Sequence, residues 1–67
     1  MTSQSFSMNL RRLMLRRGIT QAEIARRMGV NRSCIHNWYW GIREPNIDSL
    51  KRLRRILGCT FDELIGG

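Results

Sequence analysis

The chain has 67 residues, which allows one domain with a modest core. Apolar residues make up 42%, too many for a disordered chain, yet no run approaches the ~20 needed to cross a membrane. Twelve basic residues stand against five acidic ones, a net charge of +7 that favours a polyanionic ligand over a charge serving solubility alone.

The first apolar set is Phe6, Leu10, Leu13 and Met14, whose steps of four, three and one mark one face of a helix. Ser7 is read as its cap and Gly18 as its end, after Arg16 and Arg17, which suit a C-terminal dipole. Leu15 falls off that face. Residues 1–6 are then a flexible arm, and residues 7–67 a single domain. Met1 to Ser7 has neither a basic n-region nor an apolar h-region, so no signal peptide is expected. The expected location is the cytoplasm of a prokaryote or its phage.

Thr20-Gln21-Ala22-Glu23 reads as a capping box that opens a second helix, with Ile24, Ala25 and Met28 on one face and Gly29 at its end. Asn31 caps a third helix running to about Trp40. Ile35 and Trp38 form its apolar side with Cys34 beside them, and Gly41 closes it. Pro45 and Asn46 start a fourth helix, in which Ile47, Leu50, Leu53 and Leu57 repeat at helical steps before Gly58. Thr60-Phe61-Asp62-Glu63 is a second capping box, opening a last turn with Leu64 and Ile65. No alternating strand pattern or internal repeat occurs, so the fold class is all-α with five short helices.

Two cysteines far apart, Cys34 and Cys59, and a lone histidine, His36, supply no tetrahedral metal set. Both thiols read as core or near-core. No nucleophile–base pair or phosphate loop appears, so neither an enzyme nor a cofactor is expected. The caps and internal turns argue against one continuous membrane-active helix.

The segment Gln21 to Gly41 carries the functional signal. A short helix, a glycine turn and a capped second helix occupy it, and Ala25 is small where the two helices must cross. With Ile35 and Trp38 facing inward, Asn31, Arg32, Ser33 and Asn37 project outward from the second helix. Arginine pairs bidentately with guanine O6 and N7, and asparagine with adenine N6 and N7. In this geometry the N-terminal half of the second helix enters the major groove.

Leu10, Leu13, Gly18-Ile19-Thr20-Gln21, Ala22-Glu23-Ile24-Ala25, Gly29-Val30, Ile35, Trp38, Gly41, Pro45, Leu50, Leu53, Leu57-Gly58 and Asp62-Glu63-Leu64 resemble the phage repressor and Cro-type helix-turn-helix proteins, the XRE family. The likeness runs from Met8 to Ile65. It implies a lambda-repressor-like fold and sequence-specific binding of double-stranded DNA by a transcriptional repressor or regulator of phage, plasmid or restriction-modification type. A domain this small buries too little surface alone for tight specific binding, so a homodimer on a palindromic operator is expected, with no small-molecule substrate and no membrane partner. Arg32, Ser33 and Asn37 match base-reading positions, and Asn31 matches a cap that also touches a base; for Ser33, facing water is an equal alternative. Gln21 matches a phosphate contact that braces the recognition helix, and Trp40 and Arg43 match the loop that grips the backbone. His36 is read as a surface residue near the phosphates. Trp40 stays open to phosphate contact, dimer contact or surface cover.

Relatives pair an arginine late in the first helix with a glutamate late in the third; here Met14 and Tyr39 stand there, and a sulfur–aromatic contact is expected between them. Arg54 replaces the usual alanine and is read as snorkelling from a partly buried stem or marking a partner surface. Helix five and its preceding loop, with Cys59, Phe61 and Ile65, are the expected dimer surface. Arg11-Arg12 and Arg16-Arg17 are read as a solvated face. The run from Lys51 to Arg55 either reaches flanking phosphates or does not. An antitoxin or other protein-binding regulator on the same fold is the alternative; the lack of acidic residues from Val30 to Ile42 favours DNA.

Overall fold

Apolar side chains at helical steps, bounded by caps and glycines, give five helices in the computed structural model, which describes residues 3–66. They are α1 (Ser3–Arg17), α2 (Gln21–Met28), α3 (Arg32–Tyr39), α4 (Ile47–Leu57) and α5 (Phe61–Ile65). The described residues contain no strand. α1 packs against α3, α4 and α5, while α2 crosses α3 and rests on α4. One core unites Phe6, Leu10, Leu13 and Met14 of α1 with Ile24 and Met28 of α2, Ile35 and Trp38 of α3, Leu50, Leu53 and Leu57 of α4, and Leu64 of α5. Ala25 is also buried there, as its place at the α2–α3 crossing requires.

The start of α1 differs from the expectation. The helix begins at Ser3, so Ser7 is a buried helical residue rather than a cap. The expected arm of residues 1–6 is therefore corrected from Ser3 onward, and residues 1 and 2 lie outside the described residues. The reason is Phe6: it is fully buried one turn before Leu10, and only a helix already running at Phe6 stacks the two on one face. Leu15, off that face, is 85% exposed.

The two threonine caps formed unequally. Thr60 Oγ1 accepts from the Glu63 N–H at 3.1 Å while the Glu63 carboxylate accepts from the Thr60 N–H at 3.0 Å, a complete capping box. Thr20 Oγ1 accepts from the Glu23 N–H at 3.1 Å, but no return bond is made. The Glu23 carboxylate turns instead to the guanidinium groups of Arg26 and Arg27, one turn along α2. The hydrogen bond from Arg26 holds the Glu23 carboxyl below the usual carboxylate range. α4 is capped by Asn46, whose side-chain oxygen accepts from the Ser49 N–H at 2.8 Å. Ile47, expected in the core, is 66% exposed. It sits at the edge of the Leu50–Leu53–Leu57 stripe in the first turn, where Pro45 is buried instead.

The C-terminal ends show a device that the sequence pattern does not reveal. The last carbonyls of a helix lack intrahelical partners and carry the negative end of its dipole. Here four helix ends receive a side chain from another helix. Arg52 of α4 donates to the Met28 carbonyl at the end of α2, at 2.7 Å. Arg11 of α1 donates to the Tyr39 carbonyl at the end of α3, at 2.8 Å. Arg17 donates to the Gly58 carbonyl just past α4, also at 2.8 Å. Asn9, nearly buried, donates its amide to the Leu64 and Gly66 carbonyls at 3.1 and 2.8 Å, closing α5. Arg17 is exposed, as its reading on a solvated face expects, although it also makes this bond; for the half-buried Arg11 that reading is corrected.

The expected dimer surface changes as well. Cys59 is 5% exposed, so it is core and presents nothing to a partner. Phe61 lies beneath the Arg54 guanidinium, 5.2 Å from its ring centroid. Arg54 therefore has the partly buried stem expected of it, with a charged end resting on an aromatic face.

Candidate nucleic-acid interface

Gly29 makes the turn between α2 and α3. Its φ of 69° is the left-handed conformation that glycine adopts without a Cβ penalty. The next N–H, of Val30, returns to the Ala25 carbonyl at 3.1 Å, and the Val30 side chain packs against the core. This closing motif directs the chain into α3. Ile35 and Trp38 then fix the roll of α3, being 0% and 5% exposed.

That roll decides which residues face water. Asn31, Arg32, Ser33 and His36 are exposed, and Asn37 is half-buried at the edge of the same face. Asn31 occupies the cap position with extended backbone, yet its side chain makes no capping hydrogen bond. The position is as expected but the bond is not, which leaves the amide uncommitted. The side chains of Arg32 and Arg43 make no hydrogen bond, ion pair or ring contact among the described residues. Arg26 and Arg27, by contrast, share the single Glu23 carboxylate, which offsets one of their two charges.

The loop after α3 folds back on it. The Asn37 carbonyl accepts from the Ile42 and Arg43 N–H groups at 2.8 and 3.2 Å, which sets Arg43 beside the C-terminal turn. Trp40, the C-cap, is 56% exposed. Its indole meets the Tyr39 ring edge-on at 5.0 Å and the His36 ring at 6.4 Å, and the Arg11 guanidinium lies 5.3 Å from it. Gln21, the first residue of α2, is half-buried in a cleft of about 390 Å³ that also includes Arg11, Met14 and Tyr39. Met14 and Tyr39 thus line one cleft, and the tyrosine ring also has Trp40 and the Arg11 guanidinium as neighbours.

The structure brings Asn31, Arg32, Ser33, His36 and Asn37 together on one face, with Trp40 and Arg43 at its C-terminal end. Gln21 stands apart from that face, at the head of α2. Arg11 was missed as a member of this region. Its partner lies 28 residues away in the chain, and nothing local announces the contact.

A short helix, a left-handed glycine turn and a capped second helix with one wet face define a helix-turn-helix unit. A helix-turn-helix family model matches residues 10–64, and the chain belongs to that family, of the XRE type. The chain is also similar to the HTH-type transcriptional activator BcrR of Enterococcus faecalis, with 34% identity over 62 residues. The match covers 92% of this chain but 30% of that protein. No solved structure matches the chain at a significant level. No helix among the described residues is long and apolar enough to cross a membrane.

Proposed function

We propose that this chain is the DNA-reading domain of a sequence-specific transcription regulator. The observation that carries the reading is the wet face of α3: an uncommitted Asn31 amide and an unpaired Arg32, on a helix whose opposite side is locked into the core. In this reading α3 enters the major groove, and Asn31, Arg32, Ser33 and Asn37 meet base edges. Gln21, His36, Trp40 and Arg43 meet the backbone, where phosphate contacts set register.

One such module buries too little surface for tight specific binding, so the reading includes a homodimer on a palindromic operator. Half-sites then lie about one helical turn, ~34 Å, apart. Family membership and the name of the enterococcal relative support transcription regulation, and a place in the cytoplasm is part of the same proposal. Repression of the phage, plasmid or restriction-modification kind is our inference for this chain; the relative is named an activator.

Selection of duplexes from a random pool by the purified chain tests the reading. Enrichment of a two-fold-symmetric site is the expected result. A pool that stays random after repeated rounds at low salt would reject it.

A further inference from the structure

We propose that Arg11 is a positioning residue that sets how α3 and Trp40 are presented to DNA, an inference that rests on the DNA-binding reading above. Arg11 is half-buried on α1, and its Nη1 donates to the carbonyl of Tyr39, the last residue of α3. No other side chain among the described residues donates to that carbonyl. The same guanidinium lies 5.3 Å from the Trp40 ring and 5.7 Å from the Tyr39 ring, within the ~6 Å range of cation–π attraction. A planar fork suits this dual task, with one edge giving a hydrogen bond and the face lying on an aromatic ring.

The consequence is a fixed end for the recognition helix. A tryptophan 56% exposed has water on one side and few packing partners to choose its rotamer. Arg11, Tyr39 and His36 supply those partners. The other end of α3 carries Asn31 and Arg32, about 12 Å away at 1.5 Å per residue. A tilt of about 5° at the clasp then moves those side chains by about 1 Å, beyond the tolerance of a well-made site. Arg11 thus acts on base reading through α3, without touching a base.

The test compares Arg11→Gln and Arg11→Met with the wild type on two duplexes of equal length. One is the sequence selected from the random pool, and the other an unselected sequence. Arg11→Met keeps an unbranched stem and a good helix former, so it guards against simple loss of the fold. Positioning predicts at least a roughly ten-fold loss on the selected duplex and less than about two-fold on the other. In the free protein, the emission of Trp40, isolated by difference from Trp40→Phe, moves to longer wavelength as the indole is released to water. Equal losses on both duplexes, with the salt slope reduced by about 0.9, would instead make Arg11 a phosphate ligand and overturn the proposal. Unchanged Trp40 emission would overturn the clasp by itself. Should the wild-type chain bind neither duplex at low salt, the DNA reading falls and this inference with it, even where the emission shift is seen.

Discussion

Asn9 and Leu64 are joined across 55 residues of chain by a buried hydrogen bond of 3.1 Å, and the same amide group reaches the Gly66 carbonyl. This pair ties the shortest helix, five residues long, to the longest. A helix of one turn has no stability of its own and exists only because its packing and caps hold it.

Replacing Asn9 therefore loosens α5. Asn9→Ala is expected to cost about 1–3 kcal/mol, because two carbonyls lose their donor in a largely dry place. Asn9→Asp should cost at least as much, since a carboxylate only accepts and would face those same oxygens. Urea unfolding followed by circular dichroism measures both. An Asp variant as stable as the wild type would contradict the assignment.

Arg52 and Lys51 are neighbours on α4 with different duties. Arg52→Ala removes the cap on Met28 and is expected to cost about 1 kcal/mol, less than a fully buried charged bond because the group is partly exposed. Lys51, exposed and without a partner among the described residues, should shift stability by less than about 0.5 kcal/mol on replacement by alanine. Thermal melts of the two variants side by side decide the matter.

Arg32→Ala and Arg43→Ala separate base from backbone. The first should cost about 1–3 kcal/mol on the selected site and relax one base position. The second should weaken all sequences alike and reduce the salt slope by about 0.9. Titrations over a range of salt concentrations, on selected and unselected duplexes, read both effects. Identical behaviour of the two variants would remove the distinction between their roles.

Cys59 gives an alkaline limit. Burial raises its thiol pKa, with Glu63 nearby adding to the effect. The folded state thus binds the proton more tightly than the unfolded chain. The associated stability is full below the ordinary thiol value of ~8.5 and is lost as pH rises through the higher folded value. Cys59→Val should flatten the decline between pH ~8.5 and the folded pKa. Urea midpoints across that range are the measurement, and parallel profiles for both proteins would contradict the thiol's role.

The positions of the five helices were legible because each has local punctuation. Thr60 with Glu63, Asn46 before Ser49, and Gly29 and Gly58 at helix ends all act over three to six residues. The first turn of α1 was misread because a serine inside a helix looks the same as one at its start, and only the burial of Phe6 discriminates. The wet face of α3 was legible from Ile35 and Trp38, which exclude every other roll. The duties of the arginines were not. A basic side chain that caps a helix 24, 28 or 41 residues away has no local signature, so Arg52, Arg11 and Arg17 read like the unpaired Arg32.

Those borrowed caps make the recognition unit non-transferable. An excised peptide covering residues 20–41 would keep its own threonine and glycines but leave behind Arg11 and Arg52, which close both of its helices from outside. With eight residues in each helix, such a fragment would be a coil in water. Grafting the α3 face onto another scaffold would thus require transplanting two guanidinium groups from α1 and α4 along with it.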